Sequence, residues 1–302
     1  MLIEIRAAAV NFSDTLIVDG KYQSLPPLPF VPGRTVSGVV AQTASDVCDV
    51  RVGDRVIGFL EHGGYAELAA VRSENVQPMP RTLDYDAAVG IANGAQTAYF
   101  ALADRVHLQA DETILVTGAS GVVGLASIEL AKAFGAGRTI AAVRSPEAEH
   151  VVRSYGADDV VSVASNDLRD RLRTEIFRLT GGKGVDCIVE LVGGDVFDAA
   201  VRCLAWRGRL VTLGFVSGRI PSLKMNYPLL RNITISGMQW TNYREREPAW
   251  VRKAQTEINE LIDSGRLHAH VAATFSLDAA ATALEKVRGG GTYGKIVLLP
   301  SP

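Results

Sequence analysis

The segment from Ile114 to Gly135 constrains the fold of this chain more than any other stretch of the sequence. An apolar run that ends at Thr117 is followed by glycine at 118, 121 and 124, and then by an amphipathic stretch. Glycines at this spacing let the chain turn tightly and bring backbone N–H groups close to a pyrophosphate, whose charge the following helix N-terminus stabilises. The segment therefore predicts a strand, turn and helix that bind a dinucleotide.

Length and composition predict a soluble, cytoplasmic protein. The 302 residues suffice for two domains. A net charge of -2 favours neither nucleic acid nor an anionic membrane as a partner. No apolar run approaches a membrane span, and the opening Met-Leu-Ile-Glu-Ile-Arg lacks a signal-peptide pattern. Because Cys48, Cys187 and Cys203 are few and scattered, we expect packed thiols rather than disulfides or a cysteine-rich zinc site.

The sequence pattern changes near residue 95. Before it, short β-like runs between Pro and Gly turns predict a small β-rich domain; they cover 36–40, 55–59 and 65–71. After it, alternating strands and helices predict an α/β doubly wound parallel sheet. Its six predicted strands cover 113–117, 139–144, 159–163, 185–191, 208–215 and 233–238.

The last segment of the chain is assigned back to the β-rich domain. It is predicted to contain a helix at 248–264, a strand at 271–275, a helix at 277–287 and a strand at 295–299. The predicted domains are therefore 1–94 with 236–302, and 95–235.

Several local strings, taken in order, resemble the zinc-independent NADPH:quinone oxidoreductases of the medium-chain dehydrogenase/reductase superfamily. They are the glycine turn and the strings at 9–14, 20–22, 29–33, 52–56, 63–67, 96–99, 208–211, 213–215 and 294–297. The resemblance implies a GroES-like catalytic domain, a Rossmann NADPH-binding domain and an active site in the cleft between them. It also implies a homodimer through the sixth Rossmann strand. Relatives have about one strand hairpin more before the segment 2–11, so we expect either that the true start lies upstream or that the chain lacks an edge of its barrel.

The resemblance also assigns roles near the reacting atoms. It places Asn11 beside the nicotinamide or the substrate, Tyr22 in the cleft as a hydrogen-bond donor or proton source, and Thr97 against the cofactor. The residues themselves also permit plainer roles, with Asn11 as a turn residue and Tyr22 packed against the prolines that follow it. Leu16 stands where many relatives carry a second tyrosine, so an acid role falls on Tyr22 or on water.

The end of the second Rossmann strand decides the expected cofactor. NAD enzymes place an acidic side chain there, whereas NADP enzymes offer cationic and hydroxyl groups to the 2′-phosphate. This chain has Arg144 and Ser145, which favours NADPH. The alternative is that Arg144 is an ordinary surface arginine with no role in cofactor binding. Relatives often use a lysine one turn later, where this chain has Ala148.

The remaining predicted cofactor contacts lie in the glycine turn and at the ends of later strands. Val122 takes a place where relatives commonly carry a second consecutive glycine. The full predicted set is Thr97, Gly118, Ser120, Gly121, Val122, Val123, Gly124, Arg144, Ser145, Val192, Gly193, Gly214 and Phe215.

No metal is expected in the active site. Alcohol dehydrogenases of this superfamily bind zinc through a cysteine and a His-Glu pair, and the corresponding places here are Asn11 and Arg34-Thr35. Histidines 62, 268 and 270 leave a weaker alternative. Without a Lewis acid, hydride is expected to go to an acceptor that is already electron-poor.

The sequence thus predicts an NADPH-dependent oxidoreductase that reduces a small quinone. Two alternatives stay open. One is an NADPH-dependent reductase of enones or enoyl thioesters, which shares the fold and the hydride donor. The other is an NADPH-binding protein without turnover.

Overall fold

The computed structural model describes residues 1–44, 50–164 and 167–300, so Cys48 lies outside the described residues. The chain forms two compact units, Met1–Asn93 with Tyr243–Pro302, and Gly94–Asn242. Among the described helices, none combines the length and apolar character that crossing a membrane requires.

Strands and helices alternate between residues 113 and 237, as the sequence pattern predicts for that part of the chain. The strands are β1 (Leu2–Val10), β2 (Thr35–Gln42), β3 (Arg55–Phe59), β4 (Leu68–Ala70), β5 (Val76–Pro78), β6 (Thr113–Thr117), β7 (Arg138–Val143), β8 (Asp159–Ser162), β9 (Val185–Glu190), β10 (Leu204–Thr212), β11 (Thr234–Gly237), β12 (Val271–Ser276) and β13 (Lys295–Leu299). The helices are α1 (Phe12–Val18), α2 (Tyr85–Phe100), α3 (Val122–Ala133), α4 (Pro146–Ser154), α5 (Leu168–Leu179), α6 (Gly194–Ala200), α7 (Asn226–Arg231), α8 (Trp240–Arg246), α9 (Pro248–Asp263) and α10 (Ala280–Gly289).

In the first unit, β1 lies in the middle of a seven-stranded sheet. The strand order is β12-β13-β1-β2-β3-β5, and β4 also pairs with β1. β1 contributes Ile3 and Ile5 to a core that also includes Val36, Ile296 and Leu298. The antiparallel pairing of β1 with β13 places Val10 opposite Ile296, which brings the two ends of the chain together.

In the second unit, six parallel strands form one sheet in the order β11-β10-β9-β6-β7-β8. The central strands β6 and β9 are mostly apolar and mostly buried, as expected where helices cover a parallel sheet. The order reverses between β6 and β9, and ligands bind outside the carboxyl ends of the strands at such a reversal. The fold class predicted from the sequence, a GroES-like β unit with a Rossmann sheet, is confirmed.

Residues 236–242 differ from the predicted domain division. The prediction gave them to the β-rich domain, but the structure groups them with the parallel sheet. The physical reasons are the pairing of β11 with β10 and the stacking of Trp240 on Phe100, whose ring centroids are 5.6 Å apart.

Candidate active site

Asn11 lies at the junction of β1 and α1, where it is 6% exposed. Its extended backbone (φ -103°, ψ 153°) makes it the residue that precedes the first turn of the helix. Its backbone N–H donates to Asp14 Oδ2 at 2.8 Å, so the first turn of α1 holds Asn11 in place. Asparagine is one of the residues preferred at this helix position.

The Asn11 side chain has one fixed orientation. Lys295 Nζ donates to Asn11 Oδ1 at 2.7 Å, and Asn11 Nδ2 donates to Asp14 Oδ2 at 3.3 Å. An ammonium group only donates and a carboxylate only accepts, so these partners decide which end of the amide is which. One N–H of Nδ2 is then left to donate to a ligand.

Buried charges surround this amide. Burial raises the pKa of Asp14 above its usual value, although the Asn11 N–H, the Tyr65 hydroxyl and the Lys295 charge act against that rise. Burial lowers the pKa of Lys295 to about 8, with the nearby Asp14 opposing the shift. Tyr65 donates to Asp14 Oδ2 at 3.1 Å, and burial raises its pKa well above the ordinary tyrosine value. Lys295 is therefore mostly protonated at neutral pH and loses its proton at mildly basic pH.

Tyr22 interacts with Arg34. Arg34 Nη1 donates to the Tyr22 hydroxyl at 3.2 Å, and the guanidinium carbon lies 5.4 Å from the centre of the tyrosine ring. Since the hydroxyl oxygen accepts from Arg34, its own proton remains available to donate.

Glu61 joins two arginines of the same unit. Its carboxylate accepts from Arg34 Nη2 at 2.9 Å and from Arg244 Nη2 at 2.6 Å. Burial, with repulsion from Arg34, lowers the pKa of Arg244, and Glu61 acts against this shift. A cavity of about 580 Å³ lies beside this group, lined by residues that include Phe59, Glu61, His62, Arg72, Arg244 and Pro248. Sequence reasoning found neither this cavity nor the shared carboxylate.

The glycine turn of the second unit brings backbone groups together where a side chain would not fit. Gly118 has a φ of +57° between β6 and α3. A Cβ on Gly124 would lie 2.5 Å from the Gly118 carbonyl oxygen and 2.6 Å from Ala119 Cα. Gly121 precedes α3 without a side-chain cap, and Val122 is the first residue of that helix. The helix N-terminus is thus open to an anion.

The other predicted cofactor residues of this unit follow the carboxyl ends of neighbouring strands. Arg144 and Ser145 follow β7, Val192 and Gly193 follow β9, and Gly214 and Phe215 follow β10. Thr97 lies in α2 and is 9% exposed. The residues that follow β7, β9 and β10 share one edge of the parallel sheet with the glycine turn.

Glu190 is a residue of this edge that sequence reasoning missed. It ends β9 and is fully buried. Its Oε1 accepts from the Val192 and Gly193 N–H groups, each at 2.9 Å, and from Thr117 Oγ1 at 3.1 Å. Burial raises its pKa, and these hydrogen bonds act against the rise. Glu190 therefore fixes the backbone of Val192 and Gly193, two predicted cofactor contacts. The only sequence signal for this role was a single acidic residue at the end of a predicted strand.

Sequence reasoning also missed the partners of Asn11. Asp14 and Lys295 lie in the strings 9–14 and 294–297 that carried the resemblance, so their positions gave a signal, but only the pairing of β1 with β13 joins them. The Tyr22 hydroxyl is held by Arg34. Asn11 and Tyr22 belong to the first unit, and the predicted cofactor residues belong to the second.

A β unit of this kind, together with a parallel sheet that carries a glycine turn, defines a two-unit nucleotide-dependent oxidoreductase. The model of the alcohol dehydrogenase GroES-like domain matches residues 1–110, and that of zinc-binding dehydrogenases matches residues 122–256. The chain belongs to the zinc-independent quinone oxidoreductase family of the medium-chain dehydrogenase/reductase superfamily.

Individual relatives cover nearly the whole chain. Quinone oxidoreductase-like protein 2 of Rattus norvegicus is 34% identical over 296 residues, which are 98% of this chain and 83% of the relative. A probable oxidoreductase from Mycobacterium abscessus is 36% identical with a TM-score of 0.87, covering 99% of this chain and 89% of that one. Escherichia coli quinone oxidoreductase complexed with NADPH is 27% identical with a TM-score of 0.90, covering 99% and 91%.

The name of the second matching model implies zinc, but the residues here do not fit that metal. Asn11 offers an amide oxygen that already accepts from Lys295, and Arg34 offers only a cation. Zinc sites in proteins use thiolate, imidazole and carboxylate ligands. Across residues 1–44, 50–164 and 167–300, no group of three or more His, Cys, Asp or Glu residues is placed to hold a metal ion.

Proposed function

We propose that this chain transfers hydride from NADPH to a quinone. The observation that carries the proposal is the Asn11 amide, which stands in the place of the zinc-binding cysteine and is held by Lys295 and Asp14. Side chains of this kind do not hold a metal ion that could polarise a simple carbonyl as a Lewis acid. The acceptor must then spread the incoming charge by its own conjugation, as a quinone does.

The second unit supports NADPH as the cofactor. The turn from Gly118 to Gly124 and the N-terminus of α3 leave room and backbone donors for a pyrophosphate. Arg144, exposed after β7, supplies positive charge for a 2′-phosphate. When bound, NADPH supplies the hydride, and the protein supplies position and electrostatics.

The first unit supports two roles in the reduction. Converting a quinone to a hydroquinone takes one hydride and one further proton for the oxygen. The remaining N–H of Asn11 donates to an oxygen of the bound molecules and orients it. The Tyr22 hydroxyl, which accepts from Arg34, donates the proton or passes it from water.

Loss of reduced-nicotinamide absorbance tests this function. We expect acceptor-dependent oxidation of NADPH with a simple para-quinone, a slower rate with an acyclic enone, and no effect of a metal chelator. Asn11→Ala should lower the quinone rate about tenfold to 100-fold, because an oriented donor is lost. Faster turnover of the enone would contradict the quinone assignment, and NADPH binding without turnover of either acceptor would point to a binding protein.

We also propose a homodimer through the edge strand β11. Its outer edge has no neighbouring strand within the sheet described. The chain just before it carries Ile220, Met225, Leu229 and Leu230, which are 71–77% exposed. Unpaired edges and apolar patches of this kind favour association. Light scattering should report a dimer that Leu229→Glu weakens, and a wild-type monomer would contradict the assembly.

The cytoplasmic location of the protein stays a prediction.

A further inference from the structure

Helix α4 begins at the place where a Rossmann sheet meets the adenosine ribose of its cofactor. β7 is the second strand of the sheet in chain order, and Arg144 and Ser145 lead from it into the helix. Residues at the end of this strand distinguish the 2′-hydroxyl of NADH from the 2′-phosphate of NADPH. The donors available at this helix N-terminus therefore bear on cofactor choice.

Most of those donors are already used within the chain. Pro146 occupies the first helical position and has no N–H. The Ala148 N–H donates to Ser145 Oγ at 3.3 Å. The Glu147 carboxylate accepts from its own backbone N–H and from the Ser145 hydroxyl, and these two hydrogen bonds lower its pKa. An anion belonging to the chain thus occupies the position that suits an incoming phosphate.

The neighbouring carboxylate, Glu149, differs from Glu147 because it pairs with an arginine side chain. Glu149 lies two residues further along and accepts from Arg153 Nε at 2.9 Å. The negative charge of Glu149 and the positive charge of Arg153 therefore balance each other. Glu147 is exposed, and its carboxylate accepts hydrogen bonds from the Ser145 hydroxyl and from its own backbone N–H at the helix N-terminus. Arg144 is then the exposed cation that attracts a 2′-phosphate, with the Glu147 charge on the same turn.

We propose that Glu147 is a specificity-determining residue that narrows the preference of this chain for NADPH over NADH, because its carboxylate takes the hydrogen-bond donors that a 2′-phosphate would use. The inference rests on the proposed function, since it concerns the cofactor of that same site. NADH has only a hydroxyl at the 2′ position, so Glu147 opposes NADPH much more than NADH.

The test measures dissociation constants of NADPH and NADH by fluorescence titration for the full chain and for Glu147→Gln. The substitution removes the charge and keeps the size of the side chain. We expect the dissociation constant for NADPH to fall about threefold to tenfold at low salt, the range that one exposed charge supplies, and that for NADH to stay within about twofold. The gain should shrink at high salt, because exposed charges are screened.

Glu149→Gln is the matched control, since it removes the same charge from the same helix without touching Ser145. It should leave both dissociation constants within about twofold of wild type. The inference is overturned if Glu147→Gln leaves NADPH binding unchanged, if NADH tightens by the same factor, or if the control has the same effect. If the wild-type chain binds neither nucleotide, the proposed function fails as well; if it binds NADPH and reduces a quinone, only the role of Glu147 fails.

Discussion

The two units build their candidate sites by opposite means. In the second unit, the glycine turn from 118 to 124 is contiguous, and it acts through backbone groups and the space that absent side chains leave. In the first unit, Tyr65 and Lys295 come from distant parts of the chain to meet Asn11 and Asp14, and the group acts through side-chain charge and hydrogen bonds. The comparison teaches that substitutions should act by shape in the second unit and by charge and orientation in the first.

The largest expected effect is that of Gly124→Ala. The added Cβ would lie 2.5 Å from the Gly118 carbonyl oxygen, so the turn has to open. Overpacking of this kind costs about 1–3 kcal/mol, and the displaced N–H groups no longer meet a pyrophosphate together. We expect the dissociation constant for NADPH to rise by about 100-fold and the unfolding midpoint to fall by several degrees.

Gly121→Ala is the folding control for that variant. Its Cβ would lie 3.5 Å from the Gly118 carbonyl oxygen, an ordinary contact, and its φ is -80°. Its unfolding midpoint should stay within about 2 °C of wild type. If Gly124→Ala binds NADPH as tightly as wild type, the turn does not act through shape.

Lys295→Met should have the next largest effect, and on turnover rather than on cofactor binding. The variant removes the ammonium that holds Asn11 Oδ1, so the amide is free to rotate. Misplacing one group by about 1 Å can cost about 100-fold, and we expect kcat/KM for a quinone to fall about tenfold to 100-fold. The dissociation constant for NADPH should stay within about twofold, and Lys253→Met, at a lysine that is 75% exposed, should change neither quantity.

The pH profile tests the same residue by charge. Burial lowers the pKa of Lys295 to about 8, so its ammonium is present below that pH and lost above it. We therefore expect kcat/KM of the wild type to decline above about pH 8, and the low kcat/KM of Lys295→Met to lack this decline. The same basic limb in both proteins would assign the titration to another group, and the orienting role would lose its support.

The smallest expected effect is that of Arg144→Gln. Removing one exposed cation beside the 2′-phosphate should raise the dissociation constant for NADPH about threefold to tenfold and leave that for NADH within about twofold. Arg153→Gln, at an arginine already paired with Glu149, should change neither. If Arg144→Gln weakens the binding of NADPH and NADH equally, Arg144 recognises a part of the cofactor other than the 2′-phosphate.

The sequence predicted the second unit better than the first, and the physical reason is local. In the second unit, β6 has the predicted bounds and the other strands differ mainly by a few residues at their ends. In the first unit, β3 and β13 have the predicted bounds, but helix α1 was not predicted. The strand predicted at 65–71 is only Leu68–Ala70, because β4 pairs with β1 over three residues. A contiguous motif carries its own geometry, whereas the partners of Asn11 depend on the register between β1 and β13.

Side-chain choices were harder to predict than strands. Tyr22 fits a turn against prolines, but the pairing of Arg34 with its hydroxyl needs both segments to be placed first. The prediction from Arg144 and Ser145 likewise overlooked Glu147, since a carboxylate in the first turn of a helix is ordinary and only its hydrogen bonds reveal competition. Residue type and spacing identify the region of a site, and tertiary contacts decide which atoms remain available.

The central place of β1 has a consequence for the order in which the protein is made. β1 pairs with β13, and Lys295 of β13 reaches Asn11 at the end of β1. A ribosome releases residues in chain order, so the parallel sheet of residues 94–242 emerges complete while β1 has β2 and β4 available but still lacks β13. The amide of Asn11 gains its orientation only when the last strand arrives, and the second unit has all of its residues before the first.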